Sequence, residues 1–186
     1  MQNKSWVIKA FVLTFVISML ISGLSNVVAN NCNFIILLLI TVVIIALGII
    51  FDIIGTAVLT ANEATFHAKA SNKIKGSKES LKLIKSASNI ANFCNDIIGD
   101  ICGIVSGSMG AMISIYISNK LGLNSTITAL LVASVISSIM VGGKAIGKNI
   151  AVKQSDKIIF MVGTILNKFK KRKIEKKERK TKNNNN

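Results

Sequence analysis

The sequence contains no proline, a single histidine, and only eight acidic residues against 23 lysines and arginines. These shortages narrow what the chain can do. It carries no Walker-type phosphate loop, no G-x-S-x-G elbow and no H-E-x-x-H pair, so no constellation for catalysis is present and an enzyme is not expected. His67 stands alone beside a lysine-rich stretch and is not expected to ligate a metal. Cys32, Cys94 and Cys102 share no zinc or redox spacing and read as small apolar fillers.

Charge itself is missing from long runs. Phe34 to Phe51, "FIILLLITVVIIALGIIF", has no charged residue, and as a helix it would span about 27 Å. Leu121 to Gly143 is also uncharged; Ile97 to Asn119 holds only Asp100, and Trp6 to Ala29 only Lys9. Residues of the AVILMFWYC set make up 51% of a chain of net charge +15, gathered in blocks rather than at core-like periods. Blocks of this kind must be helices in hydrocarbon, because only a helix or a closed barrel satisfies its own backbone there. The expected fold is all-α: a polytopic helical membrane protein with three to four transmembrane helices, a cytoplasmic helical hairpin and a juxtamembrane amphipathic helix.

The charges that are present orient the spans. Residues 62–96 contain six lysines against three acids, and Lys168 to Lys182 contains ten basic residues against two acidic ones. The "NNCN" between the first two runs has no charge, and the turn before the last run has only Lys120. Excess Lys and Arg marks the cytoplasmic side. The expectation is a multi-pass protein of the cell membrane with both termini and the 62–96 loop in the cytoplasm. Residues 1–33 form an N-terminal hydrophobic helix, or alternatively a signal peptide cleaved after Ala29; 34–145 form the transmembrane domain, including the basic loop.

Within that loop, Leu83, Ile84, Ala87, Ile90 and Ala91 recur at helical spacing behind Gly76-Ser77, predicting a helix that leads directly into the third span. The stretch "NEATFHAKASNKIKG" is expected to prolong the second helix beyond the bilayer. Gly142, Gly143 and Gly147 are expected to loosen the last span where it leaves the membrane. Over 146–170, Ile158, Met161, Val162, Ile165 and Phe169 share a face, as in a helix lying among headgroups. Residues 171–186 read as a basic disordered tail drawn to anionic lipid by about 1 kcal/mol per residue, rather than to nucleic acid.

Four segments taken together resemble the transmembrane domain of the CNNM/CorB/CorC family of magnesium transporters: "FDIIGTAVLTANEATFHAKA", the basic loop, "NDIIGD" and "GGKAIGKNIAVKQSDKI". Phe51, Ala57, Val58 and Leu59 keep the outline of the family's F-F-S-x-x-E-x-A-L pattern, and Ile98-Gly99 keeps its I-G. Gly143, Lys148, Ile150, Ala151, Asp156, Lys157 and Ile158 match the F-G-E-x-x-P-K and A-E-K-I-like runs. The likeness covers roughly residues 35 to 170. Ile53 and Thr56 stand in place of the first pattern's serine and glutamate, Asp100 in place of the asparagine after I-G, and Lys144 and Gly147 in place of the glutamate and proline. The paired CBS domains usual after this domain in the family are not expected here. The resemblance implies transport of a divalent cation, magnesium, and a homodimer paired through these helices.

Magnesium takes hard oxygen ligands, and an ionisable residue inside a span is a functional candidate by default. Asp52 and Thr56 share a helical face, and Asp100 lies inside the third span. The expected metal site is therefore Asp52, Thr56 and Asp100, with close backbone approach at Gly99 and Gly143. The rival expectation is that Lys144 pairs with Asp52 or Asp100, leaving a non-transporting relative that acts as a membrane scaffold or partner subunit.

Overall fold

The computed structural model describes residues 8, 11–20, 23 and 33–183, with side chains followed as far as Arg172. Cys32, the proposed cleavage after Ala29 and the last three asparagines lie outside the described residues. No strand occurs among those described. The elements are α1 (Phe11–Leu20), α2 (Phe34–Thr60), α3 (Glu63–Ser71), α4 (Ser77–Lys85), α5 (Ala87–Asn92), a π-helical turn (Phe93–Ile98), α6 (Gly99–Leu121), α7 (Ser125–Lys153) and α8 (Ser155–Asn183). Helix α5, the π turn and α6 form one continuous rod of 35 residues, Ala87–Leu121.

Among the described residues three helices are long and apolar enough to cross a membrane: Phe34–Thr60, Ala87–Leu121 and Ser125–Lys153. They pack against one another as a bundle. Helix α2 contributes an inner stripe, Leu37, Thr41, Ile45, Gly48, Asp52 and Gly55, at spacings of three and four. Helix α6 answers with Ile101, Val105, Met109 and Ile113. The outward faces, including Ile35, Leu39, Val42, Leu130 and Leu131, are exposed and apolar, as expected of a bundle whose solvent is hydrocarbon. Lipid supplies no hydrophobic drive between helices, so small residues set their approach. A Cβ on Gly48 would lie 2.9 Å from Cys102 Cβ and 3.2 Å from Met140 Cε, and one on Gly110 would meet Ile136.

The reversal between α6 and α7 is short. Gly122 takes a left-handed φ of +63°, and Asn124 caps α7 by accepting from Thr126 N–H at 2.9 Å and Ile127 N–H at 3.3 Å.

A second core lies at the other end of the bundle. Ala57 and Val58 of α2, Phe66 of α3, Ala91 of α5, Ala151 of α7 and Ile159 of α8 close on one another with hardly any exposure. Three sequence expectations change here. Residues 62–76 do not prolong α2: Ala61 is extended (φ −69°, ψ 141°), and Asn62 starts a separate helix by accepting from Ala64 N–H at 3.0 Å. Helix α7 is not loosened at Gly142, Gly143 and Gly147 but runs unbroken to Lys153, with the bend at Gln154. Gly143 and Gly147 instead give room to Ile49 and Ile53 of α2, whose side chains occupy the space a Cβ would need.

Helix α8 is the third change. It is docked through Ser155, Ile159 and Gly163, with Ile158 of the apolar stripe partly buried against the same core and Val162 half-buried. A Cβ on Gly163 would fall on Ser80 Oγ, and Gly76 (φ +93°) lies against Thr164 so closely that only glycine fits. Met161, Ile165 and Phe169 stay exposed. The backbone of α8 is helical through Asn183, across most of the stretch expected to be a disordered tail. Glu175 with Arg179 and Glu178 with Lys182 have the i, i+4 order that favours a helix.

Candidate functional site: a polar layer between the three long helices

Asp52 occupies a position on the inner stripe of α2 where every neighbour in register is apolar or small, and it is only 3% exposed. Its Oδ2 is buried and has no hydrogen-bond partner. One turn along, Gly55 faces the π turn: a Cβ there would fall on Asn95 Oδ1. That oxygen is also buried and also without a partner. Two unpartnered oxygens on adjacent turns of one interface are unusual, since buried polar groups are almost always hydrogen-bonded.

Helix register brings a third group to the same level. Gly48 of α2 meets Cys102 of α6 and Met140 of α7, while Gly55 meets Asn95. Helices α2 and α6 run in opposite directions, so Asp52 is level with Ile98 and Gly99. Gly99 in turn faces α7, where Lys144 Nζ lies 3.4 Å from the position of a Cβ on that glycine. One layer of the bundle thus holds a carboxylate from α2, an amide from the π turn and an ammonium from α7. Lys144 forms no ion pair with either Asp52 or Asp100; among the described residues ion pairs join only Glu63 with His67 (3.2 Å) and Glu79 with Lys170 (3.5 Å).

The other expected ligands are distributed differently. Thr56 is half-buried, one turn beyond Asp52 on the same helix. Asp100 is exposed, on the side of α6 away from buried Gly99 and Ile101. Gly143 is engaged by Ile49. No group of three His, Cys, Asp or Glu side chains gathers among the described residues. The layer's donor set is therefore one carboxylate and one amide oxygen, with Thr56 nearby.

Asn95 was not singled out from the sequence. It sits one turn before the Ile98-Gly99 pair, and in an uninterrupted α-helix its phase gives no special reason to choose it. The π turn, in which Gly99 N–H bonds to Cys94 O, changes that phase.

No family model, no curated protein and no solved structure matches this chain. What the fold and the layer define is an all-helical membrane protein whose three-helix bundle buries a carboxylate among apolar and small hydroxyl side chains.

Proposed function

We propose that this chain is a multi-pass protein of the cell membrane that binds a cation between α2, α6 and α7 and passes it across the bilayer, with Asp52 as the acidic ligand. The observation that carries this is the Asp52 carboxylate, 3% exposed and with Oδ2 unpartnered. A buried ionised carboxylate without compensation costs several kcal/mol. An acid inside a span is a functional candidate by default, and a bound cation is the partner that would offset that cost. The resemblance to the CNNM/CorB/CorC transmembrane domain makes magnesium the first ion to test, as transported substrate.

Orientation follows from charge. The hairpin α3–α4 and helix α8 carry the lysine excess, which assigns that end and the C-terminus to the cytoplasm. The exposed stripe of Met161, Ile165 and Phe169, beside Lys157 and Lys168, suits contact with anionic lipid. The homodimer that the resemblance implies has a suitable surface in the groove lined by Ala111, Ser114, Ser118, Ala129 and Ala133, whose small side chains let helices approach closely.

A second reading is favoured by Lys144. Its ammonium beside Gly99, together with the exposure of Asp100, suits a polar layer that only organises the bundle, in a membrane scaffold or partner subunit. Purified protein in liposomes loaded with a magnesium-sensitive dye separates the two. Transport predicts a flux that Asp52→Asn abolishes; the scaffold reading predicts no flux above that of empty liposomes.

A further inference from the structure

We infer that Asn95, presented by the π-helical turn Phe93–Ile98, is the second oxygen ligand of the cation held by Asp52. The inference rests on the cation reading above and adds a residue and a device to it.

The first support is geometric. Asn95 Oδ1 is buried, lacks a hydrogen-bond partner and points across the seam between α2 and the π turn onto Gly55, one turn from Asp52. An amide oxygen is a hard, neutral donor of the kind that Mg²⁺ and Ca²⁺ accept beside carboxylates. The pairing is with an independent observation on another helix, the unpartnered Oδ2 of Asp52.

The second support is the backbone. A π turn is rare and locally less favourable than α-helix, and single π turns inside α-helices are found frequently at functional sites. Here it interrupts the one rod that passes from the cytoplasmic hairpin into the bilayer. Inserting one residue into the turn rotates what precedes it by about 100° relative to α6. Asn95 reaches Gly55 while Ile97 still faces the core and Asp96 stays exposed. Gly55 completes the arrangement: it is the only residue type at that position that leaves the amide its place.

The test uses the full chain in detergent micelles, titrated with magnesium chloride while unfolding is followed by thermal melting. Wild type is expected to show saturable stabilisation, abolished by Asp52→Asn. Asn95→Ala and Gly55→Ala are each expected to weaken the apparent magnesium affinity by about tenfold or more. The double variant is expected to lose no more than either single one, because both remove the same ligand. Asn95→Asp, which keeps an oxygen in place and adds charge, is expected to bind at least as tightly as wild type; it also decides the matter if Asn95→Ala fails to fold. Unchanged affinity in Asn95→Ala alongside loss in Asp52→Asn would overturn the role of Asn95 and leave the Asp52 reading standing. Absence of any magnesium response in wild type would overturn the Asp52 reading, and this inference with it.

Discussion

The hydroxyl of Ser80 donates to the carbonyl of Ile159 at 3.0 Å, across the seam where α4 meets α8. Both residues are fully buried, and the same hydroxyl also lies 3.1 Å from Gly76 O. Around this contact Asn62 N–H donates to Asp156 Oδ1 at 2.9 Å, and Lys69 sits over the rings of Phe66 (5.1 Å) and Phe160 (4.8 Å). The first turns of α8 are thus built into the second core, and only their outer face is exposed.

That seam has little tolerance for volume. Gly163→Leu must push α8 off Ser80, and the expected cost is about 1–3 kcal/mol or more, as for overpacked cores. Ser80→Ala should cost about 1 kcal/mol, the value of a buried hydrogen bond. Met161→Ala, on the exposed face, should lie within about 0.5 kcal/mol of wild type. Thermal melts of the three variants in one detergent give the order directly; Met161→Ala as the worst of them would refute the docking geometry.

The glycines of α7 divide into two kinds. Nothing lies within 4 Å of a Cβ built on Gly142, whereas one on Gly147 would lie 2.8 Å from Ile53 Cγ1. Gly142→Ala should therefore stabilise the helix by about 0.5–1 kcal/mol. Gly147→Leu should destabilise the α2–α7 seam. A Gly142→Ala protein that melts below wild type would show that α7 needs flexibility where it leaves the bundle.

Asp52→Asn exchanges a buried charge for a neutral side chain of the same shape. In the absence of magnesium this variant should melt higher than wild type, by about 2–4 °C for each kcal/mol recovered. A lower melting temperature would mean that the carboxylate is already compensated within the bundle, which is what the scaffold reading requires.

Lys144 gives a prediction of opposite sign for the two functional readings. If a cation shares the layer with the Lys144 ammonium, Lys144→Met relieves like-charge repulsion. Magnesium affinity should then rise by about tenfold, the equivalent of 1.4 kcal/mol. If Lys144 organises the layer, the same change lowers the melting temperature and no metal response appears.

Topology is checked by labelling. In a cysteine-free background, Leu123→Cys should react with a membrane-impermeant maleimide in intact cells, and Lys73→Cys only after permeabilisation. The reverse pattern would invert the orientation assigned from charge.

Much of the architecture is legible in the residues alone. Uncharged runs long enough to span a bilayer leave the backbone no choice but helix, and the lysine-rich 62–96 and 168–182 segments mark one side. These are properties of composition along the chain, insensitive to what packs against what. Asp52 was legible for the same reason: an acid in an apolar run is conspicuous wherever it points. Which face each residue turns was settled only by packing. Gly143 and Gly147 look like flexible points in the sequence but receive Ile49 and Ile53; Asp100 looks intramembrane and turns outward; Asn95 looks ordinary and turns in. The cause in the last case is a single π turn, a shift of about 100° in helical phase. A one-residue insertion has no compositional signature, because its stability comes from the neighbouring helices that close around it.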